Sequence, residues 1–217
     1  MLSVVVRDLG KICYRSALNI QMELVTKYSN RETSNDGMIG ELLICQHDPP
    51  VYTLGLREKL SIENENKLRD LGADVVKIRR GGLITVHSVG QLVCYPVINL
   101  HKINVGVRNY VKGLEASVVR TCTEFGLNAI TNEHVGVWVG GAKVCAIGIQ
   151  VSRSVSFHGL ALNVCNELSW YEHIVPCGLK DKEVTTMEKI LNRNIVVQDV
   201  SPVLIKHLTN QFNLSLK

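Results

Sequence analysis

The chain has 217 residues, of which 46% are hydrophobic and 20% charged, with a formal net charge of +4 and seven cysteines. This length and apolar content predict one domain over residues 1–217, and no apolar run approaches the ~20 residues needed to cross a bilayer. The cysteines lack Cys-x-x-Cys spacing, and 5% aromatic residues with a small positive charge are a weak signal for nucleic-acid binding. We therefore expect no disulfide framework, no membrane span and no nucleic-acid partner.

Two long helices are predicted in the first two thirds of the chain. Apolar residues recur at i, i+3 and i+4 spacing over residues 14–28 and again over residues 111–125, the pattern of a helix with one buried face. Gly126 directly follows the second pattern and supplies a C-terminal stop. Residues 30–37 form a long polar stretch, which predicts a loop after the first helix.

Two further helices are predicted near the C-terminus from their first residues. Thr185 precedes Glu188 at the spacing of a capping box, in which side chains and backbone N–H groups at a helix start pair reciprocally. Ser201 followed by Pro202 is typical of an N-cap and a first-turn proline. We therefore expect a short helix from Thr185 and a longer one from Ser201.

Short runs rich in β-branched residues lie between these helices. Few of them are separated by the dozen or more residues that a parallel crossover needs, and residues 135–164 are typical of consecutive antiparallel strands. The predicted fold class is therefore α+β, mainly antiparallel β-sheet with packed helices. The predicted strands cover residues 2–6, 39–46, 75–78, 92–98, 135–139, 144–151, 155–164 and 195–197.

An adjacent glycine pair, Gly81 and Gly82, follows three cations within residues 77–80. Glycines in an otherwise strand-like sequence let the backbone approach another group closely. In an extended chain Thr85 and His87 face the same side. The segment fits two interpretations equally, a hairpin with a solvated basic edge and a ligand-binding surface.

A second glycine pair, which ends at Gly141, lies near Lys143. Gly136 and Gly141 have the spacing of a phosphate loop, but Ala142 separates Gly141 from the lysine and no hydroxyl follows it, so a Walker motif is excluded. Lys143 begins the apolar run of residues 144–149, which predicts a partly buried stem. A lysine that extends from a strand end to solvent is the alternative.

One cysteine differs from the others in its surroundings. Cys177 stands between Pro176 and Gly178, which predicts a turn, and loops on a rigid scaffold are where reactive groups concentrate. The other six lie in or beside apolar runs and are interpreted as small apolar side chains. They are Cys13, Cys45, Cys94, Cys122, Cys145 and Cys165. The histidines show no metal-ligand spacing, so we expect no metal site.

A series of motifs in a fixed order resembles the lipoyl(octanoyl) transferase family over roughly residues 4–204. The most specific is Arg-Gly-Gly-x-x-Thr-x-His-x-x-Gly-Gln over residues 80–91. The others are residues 52–55 (YTLG), 136–139 (GVWV), 143–148 (KVCAIG), 157–164 (FHGLALNV), 173–178 (HIVPCG) and 184–187 (VTTM).

This resemblance implies a fold similar to the catalytic domain of biotin and lipoate protein ligases, with a catalytic dyad of Cys177 and Lys143. It also implies an acyl pocket. The implied pocket residues are Arg80, Gly81, Gly82, Leu83, Ile84, Thr85, Val86, His87, Ala146, Ile147, Gly148, Gly159, Leu160 and Ala161.

The implied reaction moves an octanoyl group from acyl carrier protein, through a thioester on Cys177, to a lysine ε-amine on lipoyl domains. The implied acceptors are the E2 subunits of 2-oxoacid dehydrogenases and the glycine cleavage H protein. A thioester to amide transfer needs neither ATP nor a cofactor. Lys143 is expected to keep Cys177 ionised and to carry protons. The cations Lys77, Arg79 and Arg80 are expected to attract the acidic carrier and lipoyl domains.

Two departures from the family pattern concern the pocket, namely Val89 in place of a usual proline and Gln150 in place of a common arginine. Two alternative functions remain, an ATP-dependent lipoate or biotin ligase and a non-catalytic module that binds lipoyl domains or acyl chains. The presence of both Cys177 and Lys143 favours the transferase over each of these alternatives.

The expected location is the mitochondrial matrix in a eukaryote and the cytoplasm in a bacterium. Val89 favours a eukaryotic source, and residues 1–22 are only mildly similar to a transit peptide.

Overall fold

The structure is a computed structural model that describes residues 2–29, 37–175 and 183–217. The strands in this part of the chain are β1 (Ser3–Ile12), β2 (Met38–His47), β3 (Val51–Leu54), β4 (Asp74–Lys77), β5 (Thr85–His87), β6 (Gln91–Asn99), β7 (Ala129–Ile130), β8 (Val137–Val139), β9 (Ala142–Ser152), β10 (Val155–Asn163) and β11 (Ser215–Leu216). The helices are α1 (Tyr14–Ser29), α2 (Ile62–Asp70), α3 (Val107–Glu124), α4 (Met187–Leu191) and α5 (Val197–Gln211), with a 3-10 helix at Ser169–His173.

A large sheet forms the centre of the molecule, with the strand order β11-β1-β2-β6-β10-β9-β8-β7. From β2 to β7 all neighbours are antiparallel, whereas β1 runs parallel to both β2 and β11. A smaller sheet has the order β4-β3-β5. The predicted class, α+β with mainly antiparallel sheet, is confirmed.

Helices cover the two faces of the large sheet. On one face α3 and α5 bury aliphatic side chains such as Leu114 and Leu204 in the main core. On the other face α1 packs against β6 and β10, where Ala17 and Leu24 contact the cluster that includes Ala161. The small sheet has a core of its own, to which α2 contributes Leu68. Within the described residues no helix is both long and apolar enough to cross a membrane.

The long helices α1 and α3 confirm two predictions, but the start of the last helix was placed too late. Helix α5 begins at Val197, and Pro202 lies inside it. The Asp199 carboxylate accepts a hydrogen bond from the Val196 N–H at 3.0 Å and so caps the helix upstream of Ser201. The strand predicted at residues 195–197 is therefore wrong, because the buried helical face already starts at Val197.

The predicted capping box at Thr185 is also wrong by one residue. Thr186 is the N-cap of α4, and its hydroxyl accepts from the Lys189 N–H at 3.1 Å. Thr185 instead donates its backbone N–H to the Lys143 carbonyl at 2.9 Å. This pairing ties the chain before α4 to the start of β9. Strands β3 and β5 and helix α2 were not predicted, because the strands are short and α2 is mostly polar.

Candidate active site

A cavity opens on the α1 face of the large sheet, where β9 and β10 carry small residues, and it encloses about 470 Å³ of empty space together with the open solvent at its mouth. Ala146 pairs with Ala161 across the two strands, and Gly148 pairs with Gly159. Because alternate residues of a strand share a face, these four positions leave a trough without large side chains.

Most of the residues expected to form an acyl pocket line this cavity. Those that do so are Arg80, Gly82, Leu83, Thr85, His87, Ala146, Ile147, Gly148, Gly159, Leu160 and Ala161. Ile84 and Val86 instead pack in the core of the small sheet, because they alternate with Thr85 and His87 along β5. Gly81 lies beside the cavity, where its N–H donates to the Ile149 carbonyl at 3.1 Å.

Sequence reasoning did not assign four further residues that line the cavity, namely Tyr14, Ile78, Tyr95 and His158. His158 belongs to a quoted family motif, so its position was available as a signal. Tyr95 lies in an apolar strand and resembles an ordinary core residue in sequence. Its place in the cavity depends on the pairing of β6 with β10, which periodicity along one strand does not reveal.

Arg80 is buried and acts as a clamp between the glycine segment and β3. Its Nη1 donates to the carbonyls of Gly81 and Leu83 at 2.9 and 2.8 Å. Its Nη2 donates to the carbonyl and the hydroxyl oxygen of Thr53, both at 2.7 Å. Several bonds from one guanidinium fix the loop at the cavity wall. Gly82 follows with φ +90°, a conformation that L side chains rarely adopt.

The expected basic surface of three cations is therefore wrong for Arg80, which is turned into the fold. Lys77 is exposed but forms an ion pair with Glu65 at 2.7 Å. Arg79 is exposed. Successive side chains of an extended chain point to opposite sides, which explains why Arg79 is exposed while its neighbour Arg80 is buried.

The histidine of the motif, His87, is buried and held by side chains on both ring nitrogens. Nδ1 lies 2.8 Å from Gln91 Oε1, which can only accept, so Nδ1 carries the proton. Nε2 lies 3.4 Å from the Thr53 hydroxyl. Burial, followed by the nearby His47 and then by Arg80 among other groups, lowers the pKa of His87 to about 3. The imidazole in the cavity wall is therefore neutral.

Two polar rings, those of Tyr95 and His158, line the cavity. The Tyr95 hydroxyl lies 2.7 Å from His47 Nε2. His158 has φ +57°, and its N–H donates to Gln21 Oε1 of α1 at 2.7 Å, which holds this unusual backbone conformation. Burial, with a smaller effect of Arg80, lowers the pKa of His158 to about 3.

Lys143 lies at the start of β9 with only 7% of its surface exposed, so the predicted burial of its stem is confirmed. Its Nζ donates to the Val135 carbonyl at 3.3 Å and lies 4.7 Å from the centre of the Trp138 ring. A Cβ at Gly136 would clash with the Cys145 carbonyl oxygen at 2.6 Å and would also lie 3.3 Å from Lys143 Cε. The Gly136 N–H donates to Glu115 of α3 at 3.0 Å.

Cys177 lies in residues 176–182, which are outside the described part of the chain. The chain on its C-terminal side, however, runs alongside Lys143. The Lys143 N–H donates to the Glu183 carbonyl at 2.8 Å, and Thr185 donates back to the Lys143 carbonyl. The structure therefore brings the chain that follows the Cys177 segment next to the predicted lysine.

The interpretation of the other six cysteines as small apolar side chains is confirmed for four of them. Cys45, Cys94, Cys122 and Cys145 are buried, and Cys13 and Cys165 are partly exposed. Burial raises the pKa of the Cys45 thiol to about 12, which disfavours a thiolate there. Among the described residues, no group of three or more histidine, cysteine or acidic side chains could hold a metal ion.

Comparison with known proteins gives one consistent family. Residues 13–209 match the lipoyl protein ligase A/B catalytic domain. The mitochondrial octanoyl-[acyl-carrier-protein]:protein N-octanoyltransferase LIPT2 of Danio rerio is 44% identical, with 96% of this chain and 92% of that protein covered. The octanoyltransferase of Cytophaga hutchinsonii is 37% identical, with 99% and 95% covered.

A solved structure of a bipartite lipoate protein ligase from Thermoplasma acidophilum has a TM-score of 0.73 at 14% identity. It covers 100% of this chain and 86% of that one, and it supports the lipoate-ligase fold expected from the resemblance. The family match and the two octanoyltransferase relatives agree on the class of enzyme. The chain belongs to the lipoyl protein ligase A/B catalytic-domain family, and it is an acyltransferase of the octanoyltransferase type.

Proposed function

We propose that this enzyme moves an octanoyl group from acyl carrier protein, through a thioester on Cys177, to the ε-amine of a lysine on lipoyl domains. The observation that carries the proposal is the cavity between Arg80 and the small residues of β9 and β10. The names of the relatives, which specify octanoyl-[acyl-carrier-protein] and N-octanoyl transfer, support the choice of substrate.

The length of the cavity is consistent with an eight-carbon chain. On β10 its lining runs from His158 to Ala161. Three residues of strand extend about 10 Å. Seven carbon–carbon bonds of about 1.5 Å in an extended zigzag span about 9 Å. An octanoyl chain could therefore lie along the trough with its thioester toward Lys143 and its methyl end against His158.

The chemistry proposed for Cys177 splits the transfer into two steps. The Cys177 thiolate attacks the thioester carbonyl, and the carrier thiolate leaves and is protonated. The lysine amine of the acceptor then attacks the new thioester, loses a proton and expels the Cys177 thiolate. Neither step consumes ATP, because one thioester replaces another and an amide then forms from it.

Lys143 is proposed to serve both steps. An ammonium within about 4 Å of the thiolate would contribute up to ~4 kcal/mol at an effective dielectric of 20, which favours the ionised cysteine. The acceptor lysine has the opposite need, because at a pKa of about 10.4 only about one amine in a thousand is neutral near pH 7.4. Lys143, whose nitrogen is held by the Val135 carbonyl and the Trp138 ring, can accept the proton that this amine loses after it has given its own proton to the departing carrier thiolate.

The acceptors and the location are further parts of the proposal. We take the acceptors to be lipoyl domains of 2-oxoacid dehydrogenase E2 subunits and the glycine cleavage H protein. The animal relatives are mitochondrial by name and are 41–45% identical, compared with 36–37% for the bacterial octanoyltransferases. This difference supports a mitochondrial enzyme, with the matrix as its compartment.

Intact-mass spectrometry after incubation with octanoyl acyl carrier protein tests the proposal. We expect one octanoyl adduct on the wild-type chain and on Cys165→Ser, the matched control at a partly exposed cysteine. We expect no adduct on Cys177→Ser. An absent wild-type adduct, or an adduct that persists in Cys177→Ser, would overturn the proposal. ATP-dependent modification of a lipoyl domain without any adduct would favour the ligase alternative.

A further inference from the structure

A pair of buried amides, Gln91 and Asn163, lies beside the cavity where β6 begins and β10 ends. The two residues are direct partners in the antiparallel pairing of these strands. Gln91 is 1% exposed and Asn163 is 2% exposed. Gln91 Nε2 donates to Asn163 Oδ1 at 2.8 Å, while Gln91 Oε1 accepts from His87. A chain of hydrogen bonds thus runs from His87 in the cavity wall through Gln91 to Asn163.

The pair also holds the chain on the N-terminal side of the Cys177 segment. Tyr171 lies in the 3-10 helix Ser169–His173. Its hydroxyl accepts from Gln91 Nε2 at 3.1 Å and lies 3.2 Å from Asn163 Oδ1, to which it can donate. One phenol therefore contacts both amides. These contacts fix the 3-10 helix against the start of β6.

The same pair holds the chain on the C-terminal side of that segment. Asn163 Nδ2 donates to the Thr185 carbonyl at 3.1 Å. Thr185 in turn donates its N–H to the Lys143 carbonyl at 2.9 Å. Asn163 is therefore linked through a single residue to the backbone of the predicted catalytic lysine.

We propose that Gln91 and Asn163 are positioning residues that hold the chain on both sides of the Cys177 segment, at Tyr171 and Thr185, in register with Lys143 and the acyl cavity. The inference rests on the proposed function, since it assigns Cys177 the role of nucleophile. The pair is suited to this task because it is neutral and buried, with each amide bonded on both its oxygen and its nitrogen. A buried amide that loses a hydrogen-bond partner keeps the free-energy cost of its desolvation, so arrangements that break these hydrogen bonds are strongly disfavoured.

The substitution Asn163→Asp separates positioning from bulk stability. It keeps the oxygen that faces Gln91 and replaces the Nδ2 donor with an oxygen that faces the Thr185 carbonyl, so the downstream link is lost and a buried negative charge is added. Asn99→Asp is the matched control. Asn99 is also buried, and its Nδ2 also donates to a carbonyl, that of Tyr28 at 2.9 Å, but it lies at the opposite end of β6.

Two rates should be measured on full-length protein, that of octanoyl-adduct formation on Cys177 and that of Cys177 alkylation by iodoacetamide, followed by peptide mapping. The pH profile of the alkylation rate should be measured as well. We expect Asn163→Asp to slow adduct formation and to change the alkylation rate at least tenfold, while Asn99→Asp stays within twofold of wild type. Thermal melting of each variant records stability separately. Tyr171→Phe removes only the upstream hydroxyl and should change the same two rates in the same direction by a smaller factor. It replaces Asn163→Asp as the test if that variant does not fold.

The outcomes separate this inference from the proposed function. Wild-type rates in both Asn163→Asp and Tyr171→Phe would overturn the positioning role while Cys177 acylation still stands. Equal losses in Asn163→Asp and Asn99→Asp that track melting temperature would also overturn it. Absence of an adduct on the wild-type chain would instead overturn the proposed function itself.

Discussion

The cavity proposed to hold the acyl chain and the surroundings of Lys143 are built in opposite ways. The cavity exists because β9 and β10 carry alanine and glycine at positions that face it. The buried Arg80 holds its wall in place through hydrogen bonds. The nitrogen of Lys143 is instead in contact with the bulky Trp138 ring and with the Val135 carbonyl. We infer that the first region selects the acyl group and the second governs proton transfer, so variants in each should change different steps.

The largest effect is expected from Lys143→Arg, which keeps the positive charge but does not deprotonate at physiological pH. Acylation of Cys177 should persist, whereas transfer of the octanoyl group to a lipoyl domain should fall by about 10²- to 10⁴-fold, the usual contribution of general acid–base catalysis. Single-turnover kinetics of the two steps provide the measurement. Lys189→Arg, at an exposed lysine of α4, is the control. Normal transfer by Lys143→Arg would contradict the proton-transfer role.

The neutral histidines of the cavity predict a pH-dependent stability. The folded-state pKa values of His87 and His158 are lowered to about 3, mainly by burial, whereas an unfolded histidine titrates near 6.5. The unfolded chain therefore binds more protons below pH 6.5, and the free energy of unfolding should fall by a few kcal/mol between pH 7 and 5. Urea denaturation at both values checks this, and His158→Gln should flatten the slope. An unchanged free energy would refute the buried neutral state.

A tenfold effect is expected from filling the trough. Ala146→Leu places a larger side chain opposite Ala161 and should lower octanoyl transfer about tenfold relative to butanoyl transfer. The ratio of the two rates is the measurement, and Ala116→Leu on α3 is the control. The comparison of the two regions would fail if Ala146→Leu slowed both acyl groups equally.

The smallest effect concerns the turn that leads into β6. Gln91 donates its N–H to the Ser88 carbonyl at 3.2 Å and Gly90 has φ +85°, so Val89 occupies the first central position of a closed turn. The hydrogen bond that closes this turn is thus formed with Val89 in the place of the usual proline. Val89→Pro should raise the free energy of unfolding by about 0.5 kcal/mol without altering transfer. Urea denaturation measures it, and a loss of stability would indicate that the turn has another geometry.

Sequence reasoning recovered the parts of the site that depend on local pattern. The alternation of Thr85 and His87 and the glycine positions were readable, because strand periodicity fixes which residues share a face. The clamp role of Arg80 was missed, because its partner Thr53 lies on a different strand and only the sheet topology brings the two together. Tyr95 and the Asn163 link to Thr185 were missed for the same reason. The start of α5 was misplaced because a Ser-Pro pair also fits inside a helix.

Direct transfer of a labelled acyl group tests the central claim, that Cys177 carries the octanoyl chain on its way to the lipoyl domain. The octanoyl-enzyme should be formed with labelled octanoyl acyl carrier protein, separated from the donor and mixed with a lipoyl domain without ATP. We predict that the label leaves the Cys177 peptide and appears on the acceptor lysine at the same rate. Label that remains on the enzyme, or reaches the acceptor only after ATP is added, would contradict the account.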